Sequence, residues 1–195
     1  MLFRSYSPFA MDKYLQATAL IESGGNANAK AATSSASGMF QFTKGTWQQM
    51  TKEMGKDYSL QDRFDPKKSA EVAAFFTQQQ KSQLEKGVGG GFSASDADLY
   101  MAHFLGAGGA TRFLSALRAN PDAPASEGAD PKQIQANANI FYDKQGNMRS
   151  LQQVYNLMAN KVDAAGMQVA SGKVSQDVQQ IDVPTANGGG RFSGP

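Results

Sequence analysis

Residues 19–47 read ALIESGGNANAKAATSSASGMFQFTKGTW, and the order of these side chains decides the fold. The segment leaves an apolar run, Ala17–Ile21, that is hydrophobic nearly all round, the mark of a helix buried inside a domain. Gly24 and Gly25 end that helix, because glycine enters the left-handed backbone region without a steric cost. A loop of small residues follows. Thr43 then caps a second helix, in which Trp47, Met50 and Met54 recur on one face. Helix, small-residue loop, capped helix is the pattern, and no period-two alternation interrupts it.

The same helical pattern extends outward along the chain. Pro8 opens the first helix, PFAMDKYLQATALIE. Asp65-Pro66 is a cap followed by proline at the first helical position, opening a helix with Val72, Phe75 and Phe76 inside and Gly87 as its stop. Ser95 and Asp98 have the spacing of a capping box for DLYMAHFLG. Further helices are expected at GATRFLSALRA, at DPKQIQANANIF and at SLQQVYNLMANKV, the last closed by Gly166. The chain therefore reads as mainly α, a single domain of about seven helices over residues 1–170. From Ser171 the composition changes to SGKVSQDVQQIDVPTANGGGRFSGP, whose apolar content is too low to repay ordering, so residues 171–195 are expected to form a flexible tail.

Composition excludes several functions. The 195 residues are 41% hydrophobic, with 12 Phe, 9 Met and one Trp, enough to build a core. A net charge of +2 with scattered basic residues is no electrostatic footprint for nucleic acid. Without cysteine there is no disulfide, no thiol catalysis and no cysteine-based metal site. His103 is the single histidine, so no zinc cluster can form; neither a metal nor a cofactor is expected. GAGGATRF follows a helix and lacks the lysine of a phosphate loop, which argues against a nucleotide. Gly106, Gly108 and Gly109 are expected instead where helices or glycan approach closely. No run is long enough to span a membrane, and the start MLFRSYSPFAMDKYLQ lacks a continuous apolar signal-peptide core. Either export is achieved another way or the numbering begins after a removed segment.

Glu22 is the one acidic residue of the opening stretch. A carboxyl at the C-terminal end of a buried helix meets low dielectric and the negative end of the helix dipole, and both favour the protonated form. That is the state a general acid needs at neutral pH. The competing reading is a solvated residue at a helix end. Nineteen residues after Glu22 stands Gln41, in Gly38-Met39-Phe40-Gln41.

Glu22-Ser23, the small-residue loop, Gly38-x-x-Gln41 and the capped helix together resemble the soluble lytic transglycosylases of the lysozyme superfamily, over roughly residues 8–165. The resemblance implies a lysozyme-like fold with a groove between helical lobes, and peptidoglycan glycan strands as substrate. It implies that Glu22 is the sole catalytic acid and base and that Met39, Phe40 and Gln41 line the saccharide groove. The family's third motif, Ala-Tyr-Asn-Ala-Gly-x-Gly, appears altered as AHFLGAG, residues 102–108. Phe104 replaces its asparagine, so stacking is expected in place of a polar contact to the sugar. The tyrosine that hydrogen-bonds the glutamate in the family falls on Tyr142, with Tyr155 as the competitor. The family's loop serine falls on Ala32, which leaves Thr33, Ser34 or Ser35 to take its role; Ser34 is the substrate-binding candidate.

Ordinary glycosidases flank the scissile bond with two carboxyl groups. A lytic transglycosylase needs no activated water, because the muramic acid C6 hydroxyl attacks its own anomeric carbon and proximity within one sugar supplies the nucleophile. The expected product is a 1,6-anhydro end. Two rivals stay open: a goose-type muramidase, with Asp62 or Asp65 placing a water, and a non-catalytic wall-binding or assembly module that keeps the groove. His103, beside Phe104 and Leu105, reads as a hydrogen-bonded core or groove residue rather than a base. Trp47 reads as core rather than as a sugar platform. The expected setting is a monomer acting in the periplasm or cell wall, or carried in a phage virion. Its tail would dock on a virion, flagellar or secretion component.

Overall fold

The computed structural model describes residues 8–182, with side chains from Met11 onward. In chain order the helices are α1 (Pro8–Ser23), α2 (Lys44–Glu53), α3 (Pro66–Val88), α4 (Asp96–Ala119), α5 (Pro131–Ala136), α6 (Ala138–Phe141), α7 (Leu151–Ala170) and α8 (Gln176–Gln179). Short 3-10 helices at Leu60–Phe64 and Ala125–Glu127 complete the regular structure. Extended pairing among the described residues amounts to isolated bridges such as Lys30 with Ser37 and Tyr142 with Met148. The fold is mainly α and lysozyme-like, as the sequence leads one to expect. No helix among the described residues is long and apolar enough to cross a membrane.

The chain forms two compact units, with the boundary at Phe75–Phe76 inside α3. The first holds α1, α2, the start of α3 and α8. Its core includes Tyr14, Leu15, Met39, Trp47 and Val72, all fully enclosed. Thr43 caps α2 by accepting the Thr46 N–H, and Asp65 opens α3 by accepting the N–H groups of Lys67 and Lys68, each at 2.9 Å. Trp47 sits between Phe42 and Tyr58 at ring separations of 5.8 and 6.4 Å, and its indole N–H donates to the Ser59 carbonyl at 2.9 Å. It is a core residue, as expected. Phe75 and Phe76, expected inside, are half-buried.

The second unit runs from the rest of α3 through most of α7, around Leu84, Leu99, Met101, Phe113, Phe141, Leu151 and Met158. The capping box at the start of α4 is complete: Asp98 Oδ2 accepts from the Ser95 N–H at 2.8 Å and its hydroxyl at 2.7 Å. The other oxygen, Oδ1, accepts the Tyr155 hydroxyl of α7 at 3.0 Å. Burial, with Asp98 adding to it, pushes the Tyr155 phenol up from 10.0 to about 12. The folded state thus holds this proton more tightly than the unfolded chain does. The stabilisation is full below pH 10.0 and is lost as the pH rises towards about 12. Wild type should therefore lose stability relative to Tyr155→Phe as the pH rises from 10.0 towards about 12; parallel stability curves in urea would contradict this.

Four sequence expectations are corrected. α3 runs through Gly87 to Val88, and the left-handed residue is Gly89, φ +69°. Gly87 is there for space, since a Cβ on it would lie 2.7 Å from Thr111 Cγ2. α7 likewise runs past Gly166 to Ala170. The helix expected at residues 130–141 breaks at Asn137 into α5 and α6. The two helices expected on either side of Gly106 form one element, α4, kinked at Gly106 with φ +74° and ψ 159°. Gln133 Nε2–H donates to the carbonyl of Leu105 beside this kink at 2.8 Å.

The expected tail is also shorter than residues 171–195. α8 lies within it, with Val178 fully buried and Ile181 4% exposed. Composition averaged over the segment hides apolar residues at helical spacing, Val174, Val178 and Ile181, which give it a face to bury. Residues 183–195 lie outside the described residues.

Candidate active site

Glu22 stands half-buried in the last turn of α1. The helix stops just beyond it because Gly24 and Gly25 take φ +64° and +77° and turn their N–H groups back onto the carbonyls of Leu20 (2.9 Å) and Ala19 (3.1 Å). Ser23, the next residue, reaches across to the second motif: its hydroxyl donates to the Met39 carbonyl at 2.7 Å, while its oxygen accepts the Asn26 N–H at 3.1 Å. One serine thereby ties the end of the helix that carries Glu22 to the loop that carries Gln41.

That loop is built from backbone. Gly38 N–H donates to Ala29 O at 2.8 Å, Ser37 N–H to Phe42 O at 3.1 Å, and Gln41 closes a turn on the Gly38 carbonyl with both its main-chain N–H (3.2 Å) and its Nε2–H (2.8 Å). Gln41 has φ +52°, the one positive φ at a non-glycine residue among those described. A side chain held in the left-handed region is a sparsely used conformation that costs of order 1–3 kcal/mol and is kept only where surrounding structure enforces it.

Arg63 does the enforcing. It is 6% exposed, and its guanidinium donates to three carbonyls: Nε to Leu60 (2.9 Å), Nη1 to Ser35 (2.6 Å) and to Phe42 (3.0 Å). Burial alone lowers its pKa from the ordinary arginine value. Its own carbonyl lies against Gly38, where a Cβ would come within 1.9 Å of that oxygen. Arg63→Met keeps much of the bulk but removes the charged donor that Leu60, Ser35 and Phe42 share; the Ser37 N–H and hydroxyl stay on the Phe42 and Ser35 carbonyls. Unfolding in urea should register a loss of about 1.5–3 kcal/mol, the range for hydrogen bonds from a charged group; an unchanged midpoint would mean the loop holds itself.

The other expected residues separate by environment. Met39 and Phe40, expected to line the groove, are 0% and 2% exposed with main chain included, so both belong to the core and present almost no surface to a ligand. Ser34 is exposed, its hydroxyl oxygen accepting the Ala36 N–H at 3.2 Å, whereas Ser35 Oγ accepts the Lys44 N–H that starts α2. In the second unit Phe104 is half-buried and stacks on Phe141 at 6.3 Å and 24°. Tyr142 follows Phe141 and is 36% exposed. Its carbonyl accepts from Arg149, whose Nη1 also donates to the carbonyls of Asn139 and Ile140 at 2.9 Å each. Tyr155, the competing tyrosine, spends its hydroxyl on Asp98. His103 stacks on Tyr100 at 5.7 Å and 12°.

Asp62 and Asp65, the carboxylates a water-placing mechanism would call on, are engaged elsewhere. Asp62 accepts from Lys68 Nζ at 2.6 Å and from the Ser59 N–H at 2.7 Å, and the lysine bond leads in holding its pKa down. Asp65 Oδ1 caps α3. Arg63 and Arg149 were invisible to sequence reading, since a guanidinium that serves carbonyls up to 28 residues away leaves no local signal.

The family model of the transglycosylase SLT domain matches residues 6–120, from the start of α1 to the end of α4, and so takes in Glu22, the loop Gly38–Gln41 and Phe104. With the match extending over more than half of a mainly α chain, this protein belongs to the SLT family of lytic transglycosylases, whose substrate is peptidoglycan.

Proposed function

We propose that this chain is a catalytically competent lytic transglycosylase that cleaves the MurNAc-β-1,4-GlcNAc bond and leaves 1,6-anhydroMurNAc ends. The observation that carries the proposal is the placing of Glu22: half-buried at a helix end, and joined through Ser23 to the backbone of the Gly38–Gln41 loop. In the first step the Glu22 carboxyl gives its proton to the glycosidic oxygen as the bond from muramic C1 breaks and the GlcNAc O4 leaves as a hydroxyl. In the second, the C6 hydroxyl of the same muramic residue bonds to C1 and its proton passes to the Glu22 carboxylate. Atoms balance without water, and the acid is restored for the next cut. One carboxyl suffices because the nucleophile is already held in the substrate.

Gln41 is assigned to saccharide binding, and Ser34 to the loop's exposed polar contact; Met39 and Phe40 pack beneath them. Phe104, backed by Phe141, offers an aromatic face to a sugar, and Tyr142 a phenol. Purified peptidoglycan supplies the test. The protein should clear its turbidity at micromolar concentration or below; binding without clearing would make it a wall-binding module instead.

A further inference from the structure

α8 lies outside the matched stretch, yet it closes on the end of α1, 150 residues away in sequence from Gly25. Ser175, the cap of α8, donates its hydroxyl to the Gly25 carbonyl at 3.3 Å and accepts the Val178 N–H at 3.4 Å. Val178 packs so tightly on Gly25 that a Cβ there would stand 2.4 Å from Val178 Cγ2. Val178 is fully buried and Ile181 nearly so. Gly25 is three residues after Glu22, and its N–H closes the last turn of α1 on the Ala19 carbonyl.

The final turn of a helix has carbonyls without helical partners and is where helices fray. A general acid on such a turn must nevertheless be held to a fraction of an ångström, because small misplacements are costly in rate. Ser23 secures this turn on the side of the Gly38–Gln41 loop. We propose that α8 secures it at Gly25: Ser175 and Val178 are positioning residues that hold the end of α1 and, through it, the carboxyl of Glu22. They touch no substrate. The proposal rests on Glu22 being the acid and base.

The experiment compares full-length Val178→Ala, Ser175→Ala and Glu22→Gln with wild type on soluble glycan strands of defined length. In Val178→Ala kcat should fall about tenfold to a hundredfold, the range for a catalytic group moved by up to about an ångström. KM should stay within about twofold, because ground-state binding is untouched. The alkaline limb of kcat against pH, set by the acid, should shift. Ser175→Ala should change kcat in the same direction by less, and it carries the test alone if Val178→Ala does not fold. Folded variants with unchanged kcat and a superimposable pH profile overturn the clamp, as does a raised KM with unchanged kcat. Glu22→Gln separates the two ideas: full activity there refutes the acid assignment, whereas its loss beside unimpaired Ser175 and Val178 variants refutes only the clamp.

Discussion

Glu22→Gln should lower the rate of peptidoglycan cleavage by at least about a hundredfold, the low end for a lost general acid. The amide keeps the size and hydrogen-bonding reach of the side chain but has no acidic proton to give the leaving oxygen, and it cannot take the C6 hydroxyl proton afterwards. Both transfers are assigned to one group, so no other residue compensates. Asp62 is held by Lys68 and Ser59, and Asp65 by the first turn of α3. Stability should stay near that of wild type, because a half-buried carboxyl is rarely a stabilising group. Turbidity loss on purified peptidoglycan measures the effect, and clearance at the normal rate would move the active site away from α1.

Gly38→Ala should be the most damaging single methyl in the loop. Gly38 has φ +79°, where an L side chain costs roughly 1–2 kcal/mol. The added Cβ would also sit 1.9 Å from the Arg63 carbonyl oxygen and 2.9 Å from its carbon, and neither is the end of a flexible side chain. Relief requires moving backbone that Arg63 itself fixes through Ser35 and Phe42. A total of about 4 kcal/mol or more is expected, as for other clashes against rigid neighbours. Activity should fall with it, because Gln41 turns on the Gly38 carbonyl. Gly55→Ala is the control: φ is +66° with nothing within 4 Å of the new atom. It should cost only about 1 kcal/mol. Equal urea midpoints for the two variants would show that the contact with Arg63 is not the cause.

Local chemistry was the legible part of this fold. Thr43, Asp65 and the pair Ser95 and Asp98 act within three residues of themselves, so their roles can be read without a structure, and each does what its spacing implies. The motif pair Glu22-Ser23 and Gly38–Gln41, nineteen residues from Glu22 to Gln41, stood out only through its likeness to the family whose model matches residues 6–120. Glycines were harder. Gly24 and Gly25 are left-handed stops, while Gly87 is small because Thr111 presses on it, and a bare sequence does not distinguish a glycine needed for φ from one needed for room. Nothing in the structure explains Gly166 in the same way. Least legible were the long-range ties: Arg63 under the Gln41 loop, Arg149 behind Tyr142, and α8 on Gly25. Each is a contact between segments that carry no mark of one another. The averaged polarity of the C-terminal segment also hid the buried positions Val178 and Ile181.

Glu22 is proposed to drive a cut in which the substrate's own C6 hydroxyl replaces water. Digestion of purified peptidoglycan in heavy-oxygen water, followed by mass analysis of the released muropeptides, tests it most directly. The products should carry no solvent oxygen, lack a reducing end at muramic acid, and be lighter than hydrolysis products by one water, about 18 mass units. Reducing products that carry one labelled oxygen per cut would contradict it and make the protein a muramidase with Glu22 as its acid.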